Sequence, residues 1–586
     1  MNDLVSRAHA ALAKGDVVAA YDLATEGAEP AQGELAYIEV RALAGMGDWR
    51  NALRRYDEAG VGARGDVDSL ALRGRLLKDA AFAAPADEAK ARFAEACAAY
   101  AAAWRGEGDY YAAINAAATA ALAGDAHTAR LHAEAALAGA TAAPVQDYWA
   151  GATLAEALLL LGRAGEAGIA LADAEGRAGA SIAARASTFR QFTALLASPA
   201  CAGAKVPLDP IRPPRAAHFA GHMFVANREA EARIAAAAEE AIRDEGIGWA
   251  FGALACGADI VIAETCLALG VELHAVVPFD EEDFLDLSVR PGGKEWEARY
   301  RACMTAASRT YVASAMRYVN DDNQFAFGSE VAMGLARLRA TQLGGEAVQL
   351  VVWDGVPADG VAGTGADARR WQETGGRTVT IDGKDLPRAR GGGRVGVAAP
   401  DARRALRVMA FTDFKGFSKL PEEVMPRFAA DVMGRCAQAL ESRRDSVLCR
   451  NTWGDALYLA FGDVRAAAGA LVDVQEAMLG IDFIRLGIPP SGGMRIAAHY
   501  GSVYELDDAV TGAPNLYGTE VSRAARVEPI TPPGQVWVTE PMAAAVEMAC
   551  PEEFACRYVG RIALAKGYGI ERIYRLERRT ASAGKR

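Results

Sequence analysis

Apolar and polar positions follow three successive patterns along the chain. Residues 1 to about 200 are rich in Ala, Leu, Arg and Glu, with very few Pro, which favours helix throughout. Helix-length segments are punctuated at Gly15-Asp16, Gly47-Asp48, Gly124-Asp125 and Gly162-Arg163. Pro207, Pro210, Pro213 and Pro214 interrupt that pattern and mark a linker. Strand-length runs then alternate with helical ones. His218–Val225 reads as a strand, Glu229–Glu245 as a helix, and Gly252 to Asp259 as a turn opening a helix that runs through Leu269. Leu273–Pro278, Thr310–Ala313 and Val348–Val352 read as further strands, and the alternation predicts a doubly wound α/β domain. Asp354 to Ala405 is rich in Gly, Arg and Asp and reads as a linker with one short hairpin near Arg377–Lys384. In the last third, Leu406–Ala410 reads as a buried strand, Glu422–Arg443 as a helix, and Ser446–Arg450 and Ala456–Phe461 as two strands. Val464–Leu479 and Leu516–Val527 read as helices; Met494–Val503, Gln535–Val538 and Cys556–Ala563 read as strands. That order predicts an α+β layer with helices on one side of a mostly antiparallel sheet.

Composition narrows the classes. A chain of 586 residues exceeds what one core holds, so several domains are expected. A formal charge of −12 argues against a general nucleic-acid or anionic-membrane binder and leaves room for a local basic patch. The nine Cys residues include no Cys-x-x-Cys pair; Cys97, Cys256 and Cys266 lie in apolar stretches and read as small core residues. A reducing, cytoplasmic setting and no zinc site are expected. Met1 to Asp16 has charges and no continuous apolar core, so no signal peptide is expected, and no ~20-residue apolar run predicts a membrane span.

The chemistry concentrates around Phe411 to Phe417. Asp413 stands at the exit of a buried strand, Gly416 allows a tight turn, and Pro421 can open the next helix. A second acidic turn, Asn451-Thr-Trp-Gly-Asp455, lies between two strands. Two carboxylates on adjacent strand ends suit a two-metal site holding a polyphosphate. His499 reads as a sheet residue with a satisfied ring, Asp507-Asp508 as part of a solvated loop, and His127 and His132 as surface residues.

These motifs carry a resemblance. From about Arg407 to Leu576 the chain resembles the catalytic domain of class III nucleotidyl cyclases, the adenylate and guanylate cyclase family. Phe411 to Phe417 resembles Phe-x-Asp-Ile-x-Gly-Phe, with Phe414 in the Ile place. Asn451 to Asp455 resembles Lys-x-x-Gly-Asp, and Asn515 to Arg526 resembles Asp-x-Trp-Gly-x-x-Val-Asn-x-Ala-x-Arg. The resemblance implies two Mg²⁺ or Mn²⁺ ions on Asp413 and Asp455, and a nucleoside triphosphate held by Phe414, Lys415, Gly416, Phe417 and Gly454. Arg526 and Ser522 would act on the α-phosphoryl group and ribose, and Lys566 on the triphosphate. The site would lie at a homodimer interface, the Asp pair from one chain and Arg526 from the other. Asn451 and Asn515 stand where adenylate cyclases place the Lys and Asp that read adenine. An amide both donates and accepts, so it can match several bases. ATP is the default substrate; cyclic UMP or CMP formation and a non-enzymatic nucleotide-sensing scaffold are the alternatives.

The other two regions carry weaker resemblances. Gly252 to Phe279 resembles the SLOG superfamily, Rossmann-like domains for nucleotide-derived ligands, with Gly252, Gly257 and Asp259 as the ligand loop. The alternative is that these glycines only permit tight turns. Arg290, Glu295 and Glu330 are candidate pocket residues whose plainer reading is solvated charge. Gly15 and Gly47 stand 32 positions apart, near the ~34-residue tetratricopeptide period. The helical region therefore loosely resembles tetratricopeptide repeats, implying a protein partner, with a plain dimer-holding bundle as the alternative. The expected layout is helical repeat over residues 1–205, Rossmann-like domain over 215–355, linker over 356–404 and cyclase-like α+β (ferredoxin-like) domain over 405–580.

Overall fold

The computed structural model describes residues 2–27, 30–106, 109–357, 360–387, 404–489 and 492–579. The chain divides into two compact units. The first comprises Met1–Pro213, Thr341–Gly345 and Arg579–Arg586; the second comprises Pro214–Ala340 and Glu346–Arg578.

The first unit is helical: α1 (Asn2–Lys14), α2 (Val17–Ala24), α3 (Gly33–Gly45), α4 (Trp49–Glu58), α5 (Val67–Phe82), α6 (Ala86–Ala103), α7 (Tyr110–Ala123), α8 (Ala126–Ala142), α9 (Tyr148–Leu160), α10 (Ala164–Glu175) and α11 (Ile182–Leu196). The Gly-Asp pairs explain the punctuation. Gly15 and Gly47 take left-handed φ of +77° and +76° to end a helix. The Asp that follows caps the next one, Asp16 accepting from the Ala19 N–H and Asp48 from that of Asn51. From α1 to α10, sequential helices pack side by side. The odd-numbered helices α3, α5, α7, α9 and α11 also touch their odd-numbered neighbours, and α1 touches both α3 and α11. They form a closed inner ring. His132 is not a surface residue: it is 7% exposed, with its ring edge-on to Trp104 at 5.4 Å.

The second unit holds two sheets. The first contains β1 (Arg215–Gly221), β2 (Ile247–Gly252), β3 (Glu272–Val277), β4 (Arg309–Val312), β5 (Ala347–Trp353) and β6 (Arg377–Asp382), all parallel, in the order β4-β3-β2-β1-β5-β6. Its helices are α12 (Arg228–Asp244), α13 (Ala258–Ala268), α14 (Glu281–Phe284), α15 (Lys294–Ala306), α16 (Asn323–Leu343) and α17 (Thr364–Glu373). The stretch expected as a linker therefore contains a helix and a sixth strand. The strand near Arg377–Lys384 pairs parallel with β5 and is not half of a hairpin. Helix α17 is polar along most of its length. It is held by the fully buried Trp371, whose indole N–H donates to the Arg377 carbonyl at 2.9 Å. Residues 388–403, with the expected linker segment around Gly391–Gly396, lie outside the described residues.

The second sheet contains β7 (Arg404–Lys415), β8 (Val447–Trp453), β9 (Ala456–Phe461), β10 (Gly493–Asp507), β11 (Pro514–Tyr517), β12 (Val536–Thr539), β13 (Phe554–Ala563) and β14 (Ile570–Arg578). The order is β13-β14-β12-β10-β7-β9-β8, with β11 on β10, and every pairing is antiparallel except β10 with β12. Its helices are α18 (Met425–Arg427), α19 (Gly434–Glu441), α20 (Val464–Leu479), α21 (Thr519–Val527) and α22 (Glu540–Ala549). Three expectations change. The helix expected over Glu422–Arg443 is broken: Pro426 sits in its first turns, and Phe428–Met433 widens into a π-helical segment. The helix expected from Leu516 starts at Thr519, because Pro514–Tyr517 pairs with β10. Helices also cover both faces. Phe414 meets the Phe428 ring at 5.0 Å, whereas Met409, of opposite parity on β7, clusters with Ala524 of α21.

Candidate active site

The ends of β7, β9 and β10 bring the acidic residues together. Asp413 lies opposite Arg495 in the β7–β10 ladder. Asp455 sits in the turn between β8 and β9, beside Gly454 at φ +69°. The Phe414 N–H donates to the Asp455 carboxylate at 3.3 Å, tying that turn to β7. Burial, and then the charge on Asp413, push the Asp455 carboxyl above its ordinary value. Arg495 ion-pairs with Asp413 and lies 2.9 Å from Glu528, which directly follows α21. Burial pushes Glu528 up to about 7; Arg495 opposes this, and Asp413 and Asp455 add to it. One guanidinium thus faces three carboxylates.

Arg495 and Glu528 were not anticipated. A charged residue within the otherwise apolar Met494–Val503 run was a signal for Arg495; Glu528, just past the expected helix, gave none. Among the described residues no group of three or more His, Cys, Asp or Glu is arranged to hold a metal ion. The donor set still fits Mg²⁺ or Mn²⁺: hard oxygens from one or two carboxylates, the remaining positions falling to water and phosphate.

The loop after Asp413 is partly structural. The Phe414 ring is 1% exposed and its N–H is taken by Asp455, so neither is free for a substrate. Phe417 meets Phe428 at 4.9 Å. Lys415 and Gly416 are exposed, Gly416 at φ +91°.

Strands β8 and β11 touch and bring the two Asn residues into one neighbourhood; Cys449 Sγ lies 3.9 Å from Asn515 Oδ1. Asn451 is exposed, its side-chain oxygen accepting from the Thr452 N–H at 2.8 Å. Asn515 accepts from the Leu516 N–H at 2.9 Å and donates to Asp508 at 3.3 Å. Asp508 also accepts from the N–H groups of Val510 and Thr511, a turn-capping role in keeping with a loop. Ser522 and Arg526 stand four residues apart on one face of α21. Among the described residues Arg526 makes no hydrogen bond or ion pair, in contrast to Arg523, which lies 3.4 Å from Glu571. Lys566 is exposed at a left-handed φ of +60°.

Helix α21 is anchored at its start. Glu520 is 1% exposed and bonds to His499 Nε2 at 2.8 Å; Ser314, just past β4, donates to it at 2.6 Å. His499 is fully buried, and its Nδ1 reaches Thr539 Oγ1 at 2.7 Å, so its ring is satisfied within the sheet. Burial pushes Glu520 up, but His499, Arg523 and Ser314 hold it down to about 2. Glu330 is not a solvated residue: Tyr500 donates to it at 2.7 Å and Arg370 lies 2.9 Å away. Arg290 is committed to Asp286 at 2.6 Å and Glu282 at 2.9 Å, and Glu295 is exposed.

The Gly252–Asp259 loop is packed against β1, the residues that follow that strand, and Ser288. A Cβ at Gly257 would fall 2.3 Å from the Met223 carbonyl oxygen, and one at Gly252 2.6 Å from that of Phe219. The Cys256 and Ala258 N–H groups donate to the Ser288 and His222 carbonyls at 2.7 and 3.0 Å. Asp259 is buried, accepts from the Ala255 N–H at 3.3 Å, and is pushed well above its ordinary value by burial. These glycines are required by backbone approach to the β1 side, and two amides of the loop are already committed.

A family model described as Tetratricopeptide Repeats-Sensor matches residues 16–123. No curated protein matches the chain. Among solved structures, the chain is similar to the adenylyl cyclase CyaB from P. aeruginosa at 17% identity and TM-score 0.27, over 32% of this chain and 100% of that one. It is similar to the guanylate cyclase domain of RhGC from Catenaria anguillulae in complex with GTP at 18% identity and TM-score 0.26, over 30% of this chain and 100% of that one. Adenylate cyclases from Trypanosoma brucei in their monomeric state match at 19% identity and TM-score 0.26, over 31% of this chain and 92% of theirs. Among the described residues no helix is long and apolar enough to cross a membrane.

Proposed function

We propose that the C-terminal part of the chain cyclises a nucleoside triphosphate to a 3′,5′-cyclic nucleotide and pyrophosphate. The observation that carries this reading is the meeting of Asp413 and Asp455 at the ends of adjacent strands, tied by the Phe414 N–H. Two divalent cations bound there would lower the pKa of the ribose 3′-hydroxyl and neutralise the phosphates. The 3′-oxygen bonds to the α-phosphorus, the bridging α–β oxygen bond breaks, pyrophosphate leaves, and the hydroxyl proton passes to solvent. Arg495 holds Asp413 in place and balances part of the acidic charge. Lys415 and Lys566, both exposed, draw in the triphosphate. Arg526, without a hydrogen bond or ion pair among the described residues, fits a cation reserved for the α-phosphoryl group of a site shared with a second copy, where it stabilises charge in the transition state. Ser522, exposed on the same face, donates to the ribose or α-phosphate.

The neutral Asn451 and Asn515 support a second reading in the base alone, with a pyrimidine triphosphate as substrate. In either case Ser314 and Glu330 of the middle domain, which bond to Glu520 of α21 and Tyr500 of β10, are placed to bias that site. Asp413→Ala and Asp455→Ala should each lower cyclic nucleotide formation by at least about a hundredfold, since even groups that only orient metal ligands cost tenfold to a hundredfold. Full activity in either variant would remove the metal-site assignment.

A further inference from the structure

The helical unit carries a cluster of cations that the cyclase reading does not use. Its odd-numbered helices form the inner ring, and residues from four of them converge. Lys78 on α5 donates to Asn115 Oδ1 on α7 at 3.2 Å and to Gln191 Oε1 on α11 at 3.0 Å. Gln191 in turn donates to Glu156 on α9 at 2.9 Å. An ammonium group has three donors, and beyond the two amides the Lys78 ammonium stands over the Tyr100 ring, 5.8 Å from its centre. Arg75, one turn before Lys78, is 3.9 Å from Asp79. Arg190, beside Gln191, is exposed and makes no hydrogen bond or ion pair among the described residues.

A purely structural network pairs its cations with carboxylates. The same unit does so elsewhere, with Arg55 on Glu39 at 2.9 Å and Arg64 on Glu34 at 2.7 Å. Around Lys78 one such pair is made among the described residues, Arg75 with Asp79 at 3.9 Å. Lys78 hydrogen-bonds two neutral amides, and Arg190 makes no hydrogen bond or ion pair among the described residues, so Asp79 is the carboxylate that all three cations share. The Lys78 ammonium is held down to about 8, first by burial, against which Asp79 and Glu156 act, and further by Arg75 and Arg190. Its nearest buried carboxyl, Glu156, is pushed up to about 7 by burial, so it gives only part of a counter-charge. Three neighbouring cations thus share Asp79 and a Glu156 that is only partly charged, and their mutual repulsion favours an added anion.

We propose that this inner ring is a binding site for a small multivalent anion bearing phosphate or carboxylate groups, held by Lys78, Arg75 and Arg190, with Asn115 and Gln191 orienting the lysine. The site is independent of the cyclase reading.

The test is titration calorimetry on the full chain in EDTA, which removes divalent cations from the acidic site. Inorganic pyrophosphate and citrate serve as probes of the two anion classes. At least one should bind with one site per chain, more weakly as NaCl rises. Whichever probe binds identifies the anion class. Lys78→Met and Arg190→Gln should each weaken binding at least tenfold, and Asp413→Ala should leave it unchanged. Arg190 is exposed, so its variant reports on binding even if Lys78→Met does not fold. Failure of both probes to bind the wild-type chain, or binding that persists in the Arg190 variant, would overturn the proposal.

Discussion

At the scale of single residues, Arg495 is the feature that the sequence motifs did not announce. It pairs with Asp413 and sits 2.9 Å from Glu528, so Asp413 already has a cationic neighbour. Asp413 and Asp455 were legible because each follows or precedes a strand-like apolar run with glycine nearby. Glu528 was not, because its role comes from where α21 ends on the sheet, a tertiary fact with no local pattern. The bases of the two readings meet at Asn451 and Asn515. A site of neutral amides loses less when the wrong base arrives than one with a buried ion left unpaired. On the proposed function the native chain should therefore discriminate weakly among nucleoside triphosphates. Asn451→Lys combined with Asn515→Asp should raise preference for ATP roughly tenfold or more, since lysine donates to a ring nitrogen and aspartate accepts from the amino group. Comparing kcat/KM across the four triphosphates checks this; strong rejection of three bases by the native enzyme would contradict it.

At the scale of elements, α21 couples chemistry to fold. It carries Ser522 and Arg526, and its first turn is fixed by Glu520 between His499 and Ser314. Removing one partner of a buried charged contact costs about 3–5 kcal/mol. Glu520→Ala should lower the thermal midpoint and the activity together, whereas Ser314→Ala should lower activity with a smaller loss of stability. Chemical denaturation and turnover on the same samples separate the two effects. Equal loss of stability in both variants would count against Ser314 as the lighter contact. The pH dependence follows from the lowered Glu520 carboxyl. Unfolded, it titrates near 4.5; folded, at about 2. Its stabilising contribution is complete above the unfolded value and is lost as pH falls from there towards 2, because the unfolded chain then binds the proton first. Glu520→Gln should flatten that acid limb. The helix positions were legible from apolar spacing, but α17 was not, since only Ala366, Ala368 and Trp371 stand out among its polar residues. The break in the expected 422–443 helix comes from Pro426 and a π-helical segment, and only the proline was visible beforehand.

At the scale of the molecule, the parallel sheet and the mixed sheet belong to one compact unit. Gly334 of α16 shows how closely they fit: a Cβ there would lie 2.3 Å from the Ala544 carbonyl oxygen of α22. Removing the first 400 residues would strip this contact and those at Tyr500 and Glu520, so regulation is better tested by substitution within the full chain. If the site is shared between two copies, Asp413→Ala and Arg526→Ala chains are each inactive. Mixed in equal amounts they should recover about a quarter of wild-type activity, since half the dimers are mixed and each keeps one intact site. No recovery, with mixed dimers shown to form, would place Arg526 outside a shared site. The central claim is cyclisation itself. Its most direct test is incubation of the full chain with each of the four nucleoside triphosphates, in Mg²⁺ and in Mn²⁺, with products weighed by mass spectrometry. The account predicts a 3′,5′-cyclic nucleotide and pyrophosphate in equal amounts from at least one of them, absent in Asp413→Ala. Release of diphosphate and phosphate only, or no product from any of the four, would contradict it.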